Sequence, residues 1–305
     1  MRLLSLFIAI SIGLSPSLSE AETRVITTST DLADLVRQVG GEHVQVDAIC
    51  KPNQDLHYVQ ARPSFMVKLR RADLVVSVGL DLEVGWLPLL LRGARNPRIQ
   101  PGTPGYLALG TQVTPIGIPG STDASLGHLH PRGNPHYWLD PVRVAALVPT
   151  IAERLGSLDP PHAADYAANS RALVRTLETK IGEWRDRMAP FQGTRVISYH
   201  DTYNYFYARY GLINVATLEN KPGVPPSPRH LSQVIQLAKS EKIPALFHES
   251  FHDKKPSGLV ASRTGATLLV LPVSVGATPS AHSYAALIGT LVDAFIEAMT
   301  ERKTR

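Results

Sequence analysis

The sequence predicts an α/β protein made of two lobes of parallel-sheet (βα) units, joined by one long rigid helix. Strand and helix patterns alternate through the first half of the chain, one long helical pattern follows from His162 to Met188 with no Gly or Pro before Gly182, and a second alternating series comes after it. Alternation of this kind is typical of parallel sheets with crossover helices. Because ligands of such sheets bind at the carboxyl ends of strands, we expect a site in the cleft between the lobes.

Short β-rich and apolar runs predict three strands in the first half, of the kind that parallel sheets bury. Ser29 and its neighbours offer an N-cap for a helix that Gly40 ends, and Pro63 begins another helix. The Gly- and Pro-rich segment 97–135 is predicted to be mostly loop, with one strand near Gln112. The three strands are predicted at 24–28, 44–49 and 72–78.

The second half repeats this pattern after the connecting helix, whose apolar positions fall on one face. Strands are predicted at 195–199, 213–216, 245–247 and 266–271. Helices are predicted at 201–210, 227–238, 255–264 and 284–301. The expected organisation is a leader at 1–21, a first lobe at 22–160, a connecting helix at 161–190 and a second lobe at 191–305, each lobe with its own core.

The N-terminus has the pattern of a cleavable secretion signal. Arg2 precedes an apolar run from Leu3 to Leu14, and Ser19-Glu20-Ala21 is a small–x–small cleavage pattern. The apolar run is shorter than the roughly 20 residues that span a bilayer. We therefore expect export to the periplasm, with a mature chain that begins near Glu22.

The only cysteine, Cys50, lies far from that cleavage position, so the pattern predicts no lipid anchor and no internal disulfide. In an oxidising compartment it is interpreted as a small buried hydrophobe. Charges are evenly mixed, and without a run of Lys and Arg the sequence predicts no nucleic-acid partner. A monomer is expected.

The positions of the histidines are more informative than their number, which is 11. His57, His136, His200 and His282 all lie in or beside loops, two in each predicted lobe. Neutral imidazole is a strong ligand for zinc and its neighbours, and a tetrahedral site takes four such donors. The alternative for any one of them is an ordinary hydrogen-bonded histidine, and spacing alone leaves both interpretations open.

Motifs along most of the mature chain resemble the periplasmic metal-binding proteins that serve zinc and manganese ABC importers, the ZnuA/TroA-like family. His136-Tyr137-Trp138-Leu139-Asp140-Pro141 and Tyr199-His200-Asp201 are specific to it, whereas Gly265-Ala266 is weak. The other matching segments are Asp55-Leu56-His57-Tyr58, Ala72-Asp73-Leu74-Val75-Val76 and Leu82-Glu83-Val84-Gly85-Trp86-Leu87.

The resemblance implies a two-lobed fold with the metal between the lobes and ligands at His57, His136 and His200. It also implies a binding protein rather than an enzyme. Such a protein captures a divalent transition metal, zinc by preference with manganese as the alternative, and delivers it to an ABC importer permease in the inner membrane.

The fourth ligand is where the sequence departs from the family. The family often has an Asp two residues before a Tyr in the loop before the last helix, and here that position is His282. A fourth imidazole would favour zinc over manganese. Glu249 is the other candidate, as a ligand or as an acceptor that orients a histidine. Water could also fill the position.

A second histidine pair, His128 and His130, lies in the Gly/Pro-rich loop just before His136. It resembles a short version of the histidine-rich loop of zinc-specific members and is predicted to be an auxiliary metal-gathering loop, with incidental solvated histidines as the alternative. His43, His162 and His230 are interpreted as ordinary surface residues.

Two rival functions follow from other features. His248-Glu249-Ser250-Phe251-His252 has the His-Glu-x-x-His spacing of a secreted zinc hydrolase, but that site needs both histidines on one uninterrupted helix, whereas here a strand is predicted directly before the motif. An adhesin on the same scaffold is the second rival. The sequence predicts no lipid anchor, which argues against an adhesin. Pull-down with host matrix would test this rival.

Overall fold

The computed structural model describes residues 22–120, 130–219 and 223–304. The predicted secretion signal at 1–21 and His128 of the predicted auxiliary loop lie outside the described residues. Within the described ranges, no helix combines the length and apolar character that crossing a bilayer requires.

The first lobe is built on a parallel four-stranded sheet with the order β2-β1-β3-β4. Ser29 caps the first helix by accepting from the Leu32 N–H, as its position in the sequence predicts. The strands are β1 (Thr23–Thr27), β2 (Val44–Ala48), β3 (Leu74–Ser77) and β4 (Tyr106–Ala108). The helices are α1 (Thr30–Gly40), α2 (Pro63–Arg70), α3 (Leu87–Ala94) and α4 (Pro141–Leu158).

The second lobe repeats the topology in a parallel sheet with the order β6-β5-β7-β8. Ser227 caps its longest crossover helix by accepting from the His230 N–H. The strands are β5 (Arg195–Ser198), β6 (Ile213–Thr217), β7 (Ala245–Glu249) and β8 (Thr267–Leu271). The helices are α6 (Asn204–Tyr210), α7 (Pro228–Ser240), α8 (Lys255–Thr264) and α9 (Tyr284–Lys303).

One helix of 26 residues, α5 (Ala163–Met188), connects the two sheets. It packs along α4 and α1 of the first lobe and against α9, the last helix of the chain. Because it contacts elements from both halves along its length, it is a stiff connector, as the sequence predicts. The two sheets therefore present the carboxyl ends of their strands to a common cleft.

The main hydrophobic core is continuous across both lobes, which differs from the expectation of a separate core in each. It runs from Val25 and Val75 in the first sheet to Phe247 and Phe295 in the second lobe. A smaller core, which includes Leu246, lies on the other face of the second sheet. Successive residues of β7 point to opposite faces, so this one strand contributes to both cores.

Two local predictions differ from the structure. The strand expected near Gln112 lies a few residues earlier, at β4, and Gln112 itself ends a short 3-10 helix, Leu109–Gln112. Helix α3 was not predicted, because it is only eight residues long and short apolar runs do not distinguish a strand from a buried helix. Pro88, in the first turn of α3, fits a helix start.

Candidate metal centre

Three of the predicted ligands meet in the cleft. One ring nitrogen from each of His57, His136 and His200 lies within 4.8 Å of those of the other two. Their ring centroids are 5.2 to 5.6 Å apart. His136 and His200 are buried and His57 is partly buried. His57 and His136 are 79 positions apart in the chain, and His136 and His200 are 64 positions apart, yet all three converge on a single point.

Asp55 orients His57 from two positions earlier in the loop after β2. Its Oδ1 atom accepts from the His57 backbone N–H at 2.9 Å and lies 2.7 Å from the ring Nδ1. Because a carboxylate oxygen only accepts, Nδ1 carries the proton and Nε2 is left with its lone pair. The Trp86 indole N–H donates to the carbonyl of Leu56 at 2.9 Å and holds this loop in place.

Asn134 orients His136 by the same device before α4. Its Oδ1 atom accepts from the His136 backbone N–H and lies 2.9 Å from the ring Nδ1. The amide orientation is fixed because Nδ2 donates to the Asp201 carbonyl at 2.8 Å. Nδ1 of His136 is therefore the protonated nitrogen, and Nε2 is the available donor to a metal.

His200 follows β5 and takes its acceptor from a distant part of the chain. Oε2 of Glu219 lies 2.6 Å from its Nδ1, and Oε1 of Glu219 accepts from the Gly223 N–H at 2.8 Å. Glu219 follows β6, the strand beside β5, so the parallel sheet brings the two residues to the same edge. This buried carboxylate was missed by the sequence reasoning, since nothing in its local sequence links it to His200.

The electrostatic surroundings of the two buried histidines are opposite. Burial lowers the pKa of His136 well below its ordinary value, and the neighbouring His57 lowers it further. Burial also opposes the charged form of His200, but Asp201 and Glu219 together raise its pKa well above the ordinary value. The imidazolium of His200 in turn holds the pKa of Asp201 below its usual range, despite burial.

The arrangement fits a small, nitrogen-preferring cation. The three histidines face a cavity of about 40 Å³, room for an ion but not for an organic ligand. Nε2 of His200 is buried without a hydrogen-bond partner; Asp201 Oδ1 lies 2.8 Å away but is not aligned to accept from it. A buried ring nitrogen without a hydrogen bond is costly unless a ligand takes it up. The three imidazoles have their Nδ1 atoms held by oxygen acceptors and can therefore bind such a cation through Nε2.

The structure does not bring His282 to the three histidines. His282 is exposed at the end of the short helix Pro279–Ala281, and the carboxylate whose pKa it affects is Asp34 of α1. Glu249, at the end of β7, is completely buried, and neither of its carboxylate oxygens has a hydrogen-bond partner among the described residues. Burial raises its pKa to about 7. The acceptor on a histidine ring is Glu219 instead.

The other histidines of the cleft fall into two groups. His130 lies beside the three, with its Nε2 3.0 Å from Nε2 of His57. His248 lies on β7 with both ring nitrogens engaged: Nδ1 is 2.9 Å from Ser257 Oγ and Nε2 is 3.3 Å from the His252 carbonyl. The His-Glu-x-x-His run thus begins on a strand rather than a helix, and this first histidine has no free nitrogen for a hydrolytic zinc.

The family follows from a comparison with known proteins. The family model described as the zinc-uptake complex component A, periplasmic (ZnuA), matches residues 25–298. The chain belongs to this family. The match covers both lobes and all three histidines of the cluster, so the ZnuA-like resemblance of the short motifs extends to the whole described fold.

Relatives within this family are named for different metals. The chain is 29% identical to the high-affinity zinc uptake system protein ZnuA of Paracoccus denitrificans, covering 97% of this chain and 98% of that protein. It is 26% identical to the iron-binding protein YfeA of Yersinia pestis, covering 92% and 87%. It is 25% identical to the manganese ABC transporter substrate-binding lipoprotein PsaA of Streptococcus pneumoniae, covering 85% and 84%.

Solved structures agree on the fold. A crystal structure of ZnuA superimposes with a TM-score of 0.77 at 24% identity, covering 90% of this chain and 98% of that one. The manganese-bound periplasmic metal-binding protein from Candidatus Liberibacter asiaticus gives 0.76 at 21% identity, covering 91% and 100%. The ZnuA-family chain therefore shares a metal-binding scaffold whose members differ in the metal.

Proposed function

We propose that this protein captures a divalent transition metal, zinc by preference, on His57, His136 and His200 in the periplasm and delivers it to an ABC importer. The observation that carries the proposal is the shared orientation of the three rings. Each has its Nδ1 atom on an oxygen acceptor, which leaves the three Nε2 atoms facing one small cavity. Histidines that bind a metal through one ring nitrogen usually donate the N–H of the other to such an acceptor, which fixes the ring.

The preference for zinc follows from the donor atoms. Imidazole nitrogen suits zinc, whereas manganese favours carboxylate and water oxygen. The three donors that converge are all nitrogen, and the carboxylates Asp55 and Glu219 are occupied by the Nδ1 protons. A site of this composition binds zinc more tightly than manganese, as the general affinity order of these metals also favours.

Delivery to an importer is supported by the family and by the stiffness of the connection between the lobes. Helix α5 and the continuous core oppose a large hinge motion, so release requires local movement of the loops that hold the histidines. Docking on the permease supplies such a movement. A monomer with the cleft exposed at one edge of both sheets suits this role.

The first experiment is a metal competition titration on the mature protein. Apo-protein is titrated with zinc and with manganese against a chromophoric chelator, and the bound metal is counted by elemental analysis. We expect one tightly bound zinc per chain and a manganese affinity lower by several orders of magnitude. The triple variant His57→Ala, His136→Ala, His200→Ala should lose the tight site.

His43→Ala is the matched control, because His43 precedes β2 at the opposite end of the sheet and pairs with Asp165 there. Retention of one tightly bound zinc by the triple variant would show that the site assignment is wrong. Transport is tested separately, by zinc uptake into vesicles that contain the cognate permease and ATPase. A metal-loaded protein that does not stimulate uptake or ATP hydrolysis would contradict the delivery role.

A further inference from the structure

We infer that His130 is the fourth ligand of the metal and the residue that directs the site toward zinc. This inference rests on the proposed function, because it concerns the same cluster of histidines. His130 Nε2 lies 3.0 Å from Nε2 of His57, and the two ring centroids are 5.1 Å apart. The ring of His130 also lies edge-on to that of His136, at 6.3 Å.

The distance between the two Nε2 atoms is close to that of two ligands of one ion. Nitrogens bound at 2.0–2.1 Å in a tetrahedral site lie roughly 3.3 Å apart. Because Asp55 holds the proton of His57 on Nδ1, Nε2 of His57 accepts, and His130 Nε2–H is the donor in the metal-free protein. A zinc ion takes the place of that proton between the two nitrogens, and the ring of His130 then carries its one proton on Nδ1, so this step releases no net proton.

The position of His130 is fixed by structure on its C-terminal side. Its carbonyl accepts from the Gly133 N–H at 2.9 Å in a tight turn. Gly133 has a φ of +98°, and a Cβ there would lie 2.7 Å from Pro115 Cβ, so only glycine fits. Arg132 lies 3.4 Å from Asp81, which joins the same turn to the segment after β3.

The turn leads directly into the residues that hold His136. The N–H of Asn134 donates to the Ile116 carbonyl at 2.8 Å, and its side chain orients the His136 ring. One short described segment, 130–136, therefore brings two imidazoles into contact with the ring of His57. The proposal therefore assigns His130 to the main site, whereas the sequence predicted an auxiliary loop for it.

Asp201 is the rival fourth donor, since its Oδ1 is buried and 2.8 Å from His200 Nε2. The two possibilities differ in chemistry. A fourth imidazole favours zinc, whereas a carboxylate oxygen makes the site more suitable for manganese. The number of imidazoles around the bound ion therefore decides between them.

The test is X-ray absorption spectroscopy at the zinc edge on the full mature protein loaded with one equivalent of zinc. The outer-shell scattering should count four imidazoles in the wild type, three in His130→Ala and four in His282→Ala, the exposed control. His130→Ala should weaken zinc binding by at least about tenfold, since loss of a residue that only orients a metal ligand already has an effect of that size. The circular dichroism of the metal-free variants should match the wild type.

A second variant measures selectivity. His130→Asp should raise the manganese affinity relative to zinc, while His282→Asp should leave the ratio unchanged. Three imidazoles in the wild type, or an imidazole lost in His282→Ala, would overturn the assignment of His130 and leave zinc binding by the other three intact. A wild-type protein without stoichiometric zinc would instead contradict the proposed function.

Discussion

In the first lobe, His57 and His136 each follow their oxygen acceptor by two residues, in Asp55-Leu56-His57 and Asn134-Pro135-His136. In the second lobe, the acceptor on His200 is Glu219, 19 residues further along the chain and on a different strand end. The first arrangement is a local turn in which one side-chain oxygen binds both the backbone and the ring. The second exists only when the sheet has formed.

This difference also separates the charges of the two lobes. The amide of Asn134 orients a neutral His136, whereas Glu219 and Asp201 surround His200 with negative charge. The first lobe thus offers an imidazole that is already deprotonated, and the second offers one that holds a proton until a metal arrives. A cation entering the cleft meets a neutral donor on one side and compensating carboxylates on the other.

The largest expected effect is the loss of one ligand from either lobe. His136→Ala and His200→Ala should each weaken zinc binding by roughly 100- to 1,000-fold, about a quarter of the binding free energy of a four-ligand zinc site. Chelator competition measures both. If only one of the two variants is affected, the ion binds to a single lobe and the cleft is not shared.

The acceptors should have a smaller effect, and an unequal one. Glu219→Gln removes the charge beside His200 and should weaken zinc binding by about 10- to 100-fold. Asp55→Asn makes the same charge change in the first lobe, where the side-chain oxygen can still accept from both the backbone and the ring. We expect Asp55→Asn to reduce the free energy of zinc binding by less than half as much as Glu219→Gln does. Equal losses in the two variants would mean that local and distant acceptors hold their rings equally well.

Proton release on binding should report the charge difference directly. The pKa of His200 is raised well above its ordinary value and that of His136 is lowered, so of these two His200 holds the extra proton at neutral pH, and zinc should displace about one proton per ion there. Calorimetry in buffers of different ionisation enthalpy measures this number. Asp201 makes the largest contribution to the raised pKa, so Asp201→Asn should bring this number toward zero, and an unchanged value would assign the proton to another group.

The smallest effect concerns the contact between the lobes. Asp31 of α1 is buried and accepts from the Val275 N–H of the second lobe at 2.9 Å, and burial raises its pKa to about 7. The folded state therefore resists ionisation of Asp31, and its contribution to stability falls as the pH rises from 3.8 toward 7. Between pH 6 and pH 8, the free energy of unfolding of Asp31→Asn should increase by about 1.4 kcal/mol relative to that of the wild type.

Thermal or denaturant unfolding of the metal-free proteins at several pH values measures this gain. Asp34→Asn is a suitable comparison, because Asp34 also bonds across the lobes, to the Tyr284 N–H, but is less buried than Asp31. A stability difference between Asp31→Asn and the wild type that stays constant with pH would show that Asp31 is ionised, or protonated, throughout this range.

Local periodicity and the short motifs around each histidine were sufficient to predict the two series of βα units, the connecting helix and three candidate ligands that meet in the cleft. The sequence also contains a repeated Asx-x-His pattern, and the folded chain shows that its Asx side chain orients the histidine ring. The missed helix α3 and the misplaced strand near Gln112 are apolar or loop-like segments whose local patterns are ambiguous.

The surroundings of those candidate ligands depend on how the chain folds. Glu219 reaches His200 because β5 and β6 are neighbours in the sheet, and His130 reaches His57 because a glycine turn folds one loop over another. The exposure of His282 and the single core shared by both lobes are likewise products of packing. Contacts between residues far apart in the chain depend on the register of strands and the path of loops, which no local pattern of residues specifies.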